Sequence, residues 1–217
     1  MFPLYDTVRS RRFPLVNWAL VLLNGTLFYL ELNMGEEGLF RFIHNWGLVP
    51  ANWHVNHAGS WVTIFTSMFL HGGWIHILGN MWMLIIFGNN VEDRLGHGRY
   101  LVFYLFSGVA AALLQVYLSP ASQVPMIGAS GAIAGVLGAY FILFPHARIA
   151  SLVPILFIFT LVEVPAVIFF GFWFVLQLFS GWLALHGTDL NGVAWWAHIG
   201  GFVFGLMVVR LFERRRY

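Results

Sequence analysis

The run Ser130-Gly131-Ala132-Ile133-Ala134-Gly135-Val136-Leu137-Gly138-Ala139-Tyr140-Phe141-Ile142-Leu143-Phe144 decides the fold. It opens on a serine and is apolar thereafter. As a helix it carries Gly131, Gly135 and Gly138 at a spacing that lets two backbones approach closely within a bilayer. Composition removes the soluble alternative. Of 217 residues, 59% are hydrophobic and 9% charged, against roughly 45–50% and about 25% in soluble domains. Eleven basic and nine acidic side chains cannot cover the outside of a water-soluble domain of this size. Disorder, nucleic-acid binding and a water-soluble enzyme are therefore excluded. The length gives a prior of one domain, so the chain reads as a single membrane-embedded unit over residues 1–217. The absence of cysteine excludes disulfides, thiolate catalysis and cysteine-ligated metal.

A crossing helix needs about 20 apolar residues. The sequence offers six candidates: Phe13 to Leu30, Trp74 to Asn89, Tyr100 to Leu118, Ser130 to Phe144, Val164 to Phe179 and Trp196 to Leu211. The expected fold class is all-α, a polytopic bundle of six transmembrane helices. The stretch from Leu152 to Val162 would rise only about 16 Å as a helix, too little to cross, and is expected to lie along the protein near the interface. Six crossings place both termini on one side, together with every arginine except Arg41. By the positive-inside rule that side is cytoplasmic, so residues 1–12 read as a short cytoplasmic tail. Residues 31–70 are too many for a simple connection. With Trp46, Trp53, His54, His57 and Trp61, they read as an external loop resting on the membrane. Short tails and no transit peptide point to a prokaryotic plasma membrane, the inner membrane, crossed several times.

Polar groups within spans face the bundle interior and are functional candidates. His76 and Asn80 lie four apart, on one face of the second span. Ser130 heads the fourth span and His198 the sixth. Counted along each helix, Ser130 stands about 21 Å above Phe144, His198 about 18 Å above Arg210 and Asn80 about 18 Å above Glu92. Three spans thus bring a hydroxyl, an imidazole and an amide to nearly one depth in the outer half of the bilayer. Gly201 and Gly205 on the sixth span complement the glycines of the fourth, so the serine and histidine can meet, as nucleophile activation requires. The start of the fourth helix also offers unpaired N–H groups to a developing oxyanion. No acidic residue shares this depth, so a Ser–His dyad fits better than a triad, with packing left to orient the imidazole. His71 and His76 are five apart without a carboxylate at their depth, which argues against a metal site, and no cofactor is expected.

This pattern resembles the rhomboid family of intramembrane serine proteases from about Trp61 to Met207. The motifs are Thr66-Ser67-Met68-Phe69-Leu70-His71 leading to His76 and Asn80, Val91-Glu92-Asp93-Arg94-Leu95-Gly96 with Arg99-Tyr100, Gly128-Ala129-Ser130-Gly131-Ala132, and Ala197-His198 followed by Gly201 and Gly205. The resemblance implies a minimal six-span form with Ser130 as nucleophile and His198 as general base. It implies His76, Asn80 and the Ser130 backbone N–H as the oxyanion site. It also implies an outward aqueous hollow, substrates that are single-pass membrane proteins cut in or near their transmembrane segments, and a lateral gate at Phe169-Phe170-Gly171-Phe172-Trp173. For that aromatic run, lipid-facing bulk is an equal reading. Two positions depart from the family. Trp61 is followed by Val62 where many members have arginine, which bears on how the first loop is anchored. Ala134 stands four residues after the nucleophile, where some members place an aromatic against the histidine.

The function expected is a serine endopeptidase acting on transmembrane helices within the lipid bilayer, with no nucleic-acid partner. The alternatives are a non-catalytic rhomboid-like protein that binds transmembrane helices, whose members typically lack the serine or the histidine, and a small transporter. A transporter would carry charge at the midplane, broken helices or repeats, of which the sequence shows little.

Overall fold

The computed structural model describes residues 1–155, 158–186 and 192–214. Asp189, read as part of an external loop, and Arg215 and Arg216, counted with the cytoplasmic arginines, lie outside the described residues.

A helix forms at each of the six expected places. They are α1 (Leu15–Leu32), α4 (Trp74–Met83) continued by a π turn (Leu84–Gly88) into α5 (Asn89–Leu95), α6 (His97–Leu118), α7 (Ser130–Leu143), α8 (Ala166–Leu185) and α9 (Trp195–Phe212). Four of them, α1, α6, α8 and α9, are each long and apolar enough to cross a membrane. Trp74–Leu95 meets that test jointly with Ala58–Phe69, from which it is bent by 84°. The chain is a multi-pass, predominantly helical membrane bundle. At fourteen residues, α7 is shorter than a full crossing, rising about 21 Å. Every residue from Gly131 to Tyr140 is buried, so this helix is the core about which the others pack.

Within α7, small residues face both neighbours. A Cβ on Gly135 would overlap Ser107 of α6, and one on Gly138 would overlap the Phe202 carbonyl of α9. Reciprocally, a Cβ on Gly201 would strike the Gly131 carbonyl oxygen, and one on Gly205 the Gly135 carbonyl oxygen. Lipid tails are as apolar as leucine, so this close van der Waals packing, rather than hydrophobic burial, drives the helices together.

The region 31–70 folds into amphipathic α2 (Gly35–Trp46), α3 (Ala58–Thr66) and two short 3₁₀ turns. Its tryptophans are used for anchoring: the Trp53 indole donates to the Ser60 carbonyl and the Trp61 indole to the Val55 carbonyl, each at 3.0 Å. Both bonds lie within the segment and close it on itself.

At the opposite end, Glu92 caps α1, accepting from the backbone N–H of Val16 at 2.9 Å and of Asn17 at 2.7 Å. It satisfies two orphan donors and places negative charge at the positive end of the helix. Asn17 in turn donates to the Leu84 carbonyl of the π turn and accepts from the Tyr100 hydroxyl.

The helical bundle carries one element that the sequence reading did not contain. Phe2–Asp6 (β1), Arg148–Ile155 (β2) and Ile158–Pro165 (β3) form an antiparallel sheet in the order β1-β2-β3. Of the stretch Leu152–Val162, expected as a surface segment too short to cross, the described residues belong to β2 and β3. Val153, Ile158, Thr160, Val162 and Val164 favour strand, while Pro154 and Pro165 forbid a continuous helix. Pro154 pairs only with Phe159 of β3, because β1 ends its pairing at Leu152, so its missing N–H breaks no ladder. The strand β1 draws part of the expected tail, residues 1–12, into the fold. Asp6 at its end accepts from the Tyr140 hydroxyl at 2.6 Å and the Asn90 amide at 2.7 Å. Burial raises the Asp6 carboxyl above its ordinary range, and those two hydrogen bonds together with one from the Val8 N–H oppose the rise.

Replacing Gly201 by Ala is expected to lower stability by about 1–3 kcal/mol, because rigid backbone rather than a yielding side chain meets the new methyl. Gly171→Ala, on α8 with open space at its Cβ, should be neutral or slightly stabilising. Thermal unfolding in detergent compares the two, and equal midpoints would refute the seam.

Candidate active site

Ser130 is the first residue of α7, preceded by Gly128 at φ +112°, a conformation that side chains rarely adopt. The Gly128 N–H is tied to the Ser67 carbonyl at 2.8 Å, which fixes the approach to the helix. The first helical N–H to find an intrahelical acceptor is that of Ile133, on Ala129, so the preceding amides are free of the helix ladder.

Opposite, His198 projects from the first turn of α9. Its Nε2 lies 2.8 Å from Ser130 Oγ, a full hydrogen bond between residues 68 apart in the chain. The close α7–α9 seam begins one residue after Ser130 and three after His198, which accounts for so short a reach. His76 and Asn80, on α4, line the same cavity as this pair, which has a volume of about 1050 Å³. All four residues singled out in the sequence are therefore brought together.

The polar groups facing this cavity have defined contacts. The Gly72 N–H reaches His76 Nδ1 at 3.4 Å. The ring proton therefore belongs on Nε2, and Nε2 is the atom that a Cβ on Gly128 would strike. Among the described residues the Asn80 side-chain nitrogen is buried without a hydrogen-bond partner. Two donors are thus held beside the loop that leads into Ser130. Behind His76, the His71 ring lies edge-on at 5.0 Å, and the His71 backbone N–H donates to the Glu31 carboxylate at 3.2 Å. A carboxylate therefore does lie beside His71, against the expectation of none at that depth, because the end of α1 packs on the turn that leads into α4. Gln115 of α6 accepts from the Ala197 N–H at 3.1 Å and so binds the start of α9.

The aromatic run on α8 divides by helical face. Phe170 is wholly buried against Phe87 and Tyr140, Phe172 is exposed, and Phe169 and Trp173 line the cavity. One residue of this helix was not anticipated: Gln177, whose Oε1 lies 2.8 Å from His198 Nδ1. It is the one amide in twenty otherwise nearly apolar residues, and that isolation is its signal in the sequence.

A hydroxyl on the accepting nitrogen of an imidazole, with free donors across the cavity, can perform nucleophilic attack on a carbonyl and stabilise the resulting oxyanion. Comparison with known proteins agrees with the fold. A family model described as the Rhomboid domain matches residues 58–215, and the chain belongs to the rhomboid family. It is 30% identical over 190 residues to Rhomboid protein 1, mitochondrial, of Saccharomyces cerevisiae, covering 82% of this chain and 50% of that protein. It is 32% identical over 112 residues to Rhomboid-like protein 11, chloroplastic, of Arabidopsis thaliana, covering 52% and 39%. It is 40% identical over 81 residues to Rhomboid protease GluP of Bacillus subtilis, covering 37% and 15%. The chain thus spans half or less of each of these relatives.

Gly128→Ala should destabilise the protein by about 1–2 kcal/mol from its left-handed backbone alone, and should displace the His76 ring. Thermal unfolding, with Gly25→Ala as the unstrained comparison, measures it. An unchanged midpoint would show that the loop relaxes freely.

Proposed function

We propose that this chain is an intramembrane serine endopeptidase that hydrolyses peptide bonds in or near the transmembrane segments of single-pass membrane proteins. The observation that carries the reading is the 2.8 Å contact of Ser130 Oγ with His198 Nε2 in a cavity that also receives His76 and Asn80. The naming of a relative in Bacillus subtilis as a rhomboid protease supports it.

In this mechanism Ser130 Oγ attacks the scissile carbonyl carbon as its proton passes to His198 Nε2. The carbonyl oxygen becomes an oxyanion, held by His76 Nε2–H, the Asn80 side-chain amide and the Ser130 backbone N–H. Collapse breaks the C–N bond, and the imidazolium returns its proton to the departing amine. The resulting ester is then attacked by a water that His198 deprotonates, releasing the acid and restoring the serine. The bundle crosses the membrane six times with both termini cytoplasmic, and the serine lies toward the outer face, where water enters the hollow. The positive-inside distribution of arginine supports that orientation. Residues 1–217 act as a single membrane-embedded domain in a prokaryotic plasma membrane.

A fluorophosphonate probe should label the purified protein at Ser130, and labelling should vanish in Ser130→Ala and in His198→Ala. Ser130→Ala should likewise abolish cleavage of a transmembrane reporter. Removing one oxyanion donor by His76→Ala or Asn80→Ala should lower kcat by about 10²-fold. Cleavage should also fall in acid, because a protonated His198 cannot accept the serine proton. Absence of labelling both in detergent and in lipid would favour a non-catalytic protein that binds transmembrane helices.

A further inference from the structure

Gln177 lies on the far side of the imidazole from the nucleophile. It sits on α8 one turn beyond Trp173 and two turns beyond Phe169, the residues by which that helix lines the cavity. Its side chain is buried, and its amide makes two contacts. Oε1 faces His198 Nδ1 at 2.8 Å, and Nε2 donates to the Trp173 carbonyl at 3.4 Å.

These two contacts fix which way the amide points. The Trp173 carbonyl can only accept, so the NH₂ group must face it, since turning the amide over would set two carbonyl oxygens against each other. The amide oxygen therefore faces His198, and an oxygen that can only accept requires a proton on Nδ1. With the proton there, Nε2 presents its lone pair to the Ser130 hydroxyl. That is the tautomer that general-base catalysis needs and that free imidazole adopts only in part.

We propose that Gln177 is a positioning residue that locks His198 in its Nδ1–H tautomer and in the ring orientation that faces Ser130. This deepens the dyad reading and rests on it. The role has a structural motive. Ala134, beside the cavity and against Gly201, supplies no ring to hold the imidazole from the α7 side. The Trp173 ring centroid, tilted at 6.2 Å, and that of Trp195, edge-on at 6.1 Å, restrict the imidazole from two directions but say nothing about its proton. The amide supplies that remaining constraint. When His198 takes the serine proton, the Nδ1–H···Oε1 bond becomes charge-assisted and strengthens, so Gln177 also favours the attacking state.

The test compares the full-length protein with Gln177→Met, which keeps the bulk and removes the acceptor, and Gln177→Glu, which keeps an acceptor oxygen. Ser130-dependent fluorophosphonate labelling and reporter cleavage of the unmodified chain come first, and their absence would overturn the dyad reading and this proposal with it. Given that activity, Gln177→Met should lower kcat roughly tenfold to a hundredfold with KM nearly unchanged, as expected for a misdirected rather than a missing group. Gln177→Glu should recover most of the loss. In ¹⁵N-histidine-labelled protein, with the His198 signals assigned against His198→Ala, the unmodified chain should show protonated Nδ1 and bare Nε2, and Gln177→Met a mixture of tautomers. Unchanged kcat and unchanged ¹⁵N shifts in Gln177→Met would overturn the positioning role while leaving the dyad intact. Equal losses in the Met and Glu variants, with lowered unfolding midpoints in both, would reduce Gln177 to a packing residue.

Discussion

The contact between the backbones of α7 and α9 is the constraint on which the rest of this structure depends. A side chain could not be tolerated at Gly138 of α7 or at Gly201 and Gly205 of α9, because the atoms that a Cβ would meet there are backbone carbonyl oxygens of the partner. Main chain cannot swing aside as a leucine terminus can. The same closeness sets the geometry at the head of the two helices. Ser130 has one of the shortest side chains, and it meets His198 only because the axes are already near one another. A seam of larger residues would widen the gap at the serine by the same amount that it widened the helices.

That seam needs its outer helices held in place, and polar groups at the other end of the bundle supply this. Glu92 caps α1, Asn17 bridges to the π turn after α4, and Arg94 and Arg210 pair with Glu213 beyond α9. Burial alone would raise the Glu213 carboxyl, but its hydrogen bonds and ion pairs with the two arginines draw it below its ordinary range. Charged residues thus gather at this end of the bundle, the buried Glu92 among them, while glycine, alanine and serine line the faces of α7, α6 and α9 that meet. The π turn lies in the helix that carries His76 and Asn80, at the position where Asn17 binds the Leu84 carbonyl. A widened helical turn adjoining a site is a recurring pattern. Here it also gives the α4–α5 helix a polar tie to α1.

How much of this was legible in the sequence follows from which interactions are local. The apolar spans and the heights of Ser130, His198 and Asn80 came from the 1.5 Å rise of a helix, which needs no tertiary knowledge. Small-residue spacing then gave the pairing of α7 with α9, since a bilayer leaves few other ways to join two helices. The sheet was illegible for a physical reason. Its β1 strand is five residues long and pairs with a segment nearly 150 positions away, and strand pairing carries no periodicity that a lone strand displays. Gln177 was overlooked on a different ground. It stands in a helix read as a span with an aromatic gate, and a search for a carboxylate to complete a triad passes over an amide. The depth argument nevertheless applies to it when counted on the spans read from the sequence. Gln177 precedes Phe179, the end of the fifth span, by two residues, and His198 follows Trp196, the start of the sixth, by two, so both come at the adjoining ends of spans that run in opposite senses.

The chemistry of the lining explains why an amide can stand where soluble serine hydrolases commonly use aspartate. Among the described residues that line the cavity, none carries a carboxylate or guanidinium side chain. A buried carboxylate beside the histidine would have to shed its hydration in a low-dielectric interior, at several kcal/mol before any interaction repaid it. In the proposed mechanism that charge is unnecessary. Proton transfer from Ser130 to His198 and addition to the carbonyl create an imidazolium and an oxyanion together, so the transition state stays neutral overall and each charge lies near the other. What the imidazole lacks is a fixed tautomer and a fixed direction, and a neutral acceptor provides both without a permanent buried ion. Beside an α7 that is buried from Gly131 to Tyr140, orientation by a dipole spares the fold the desolvation of a permanent charge.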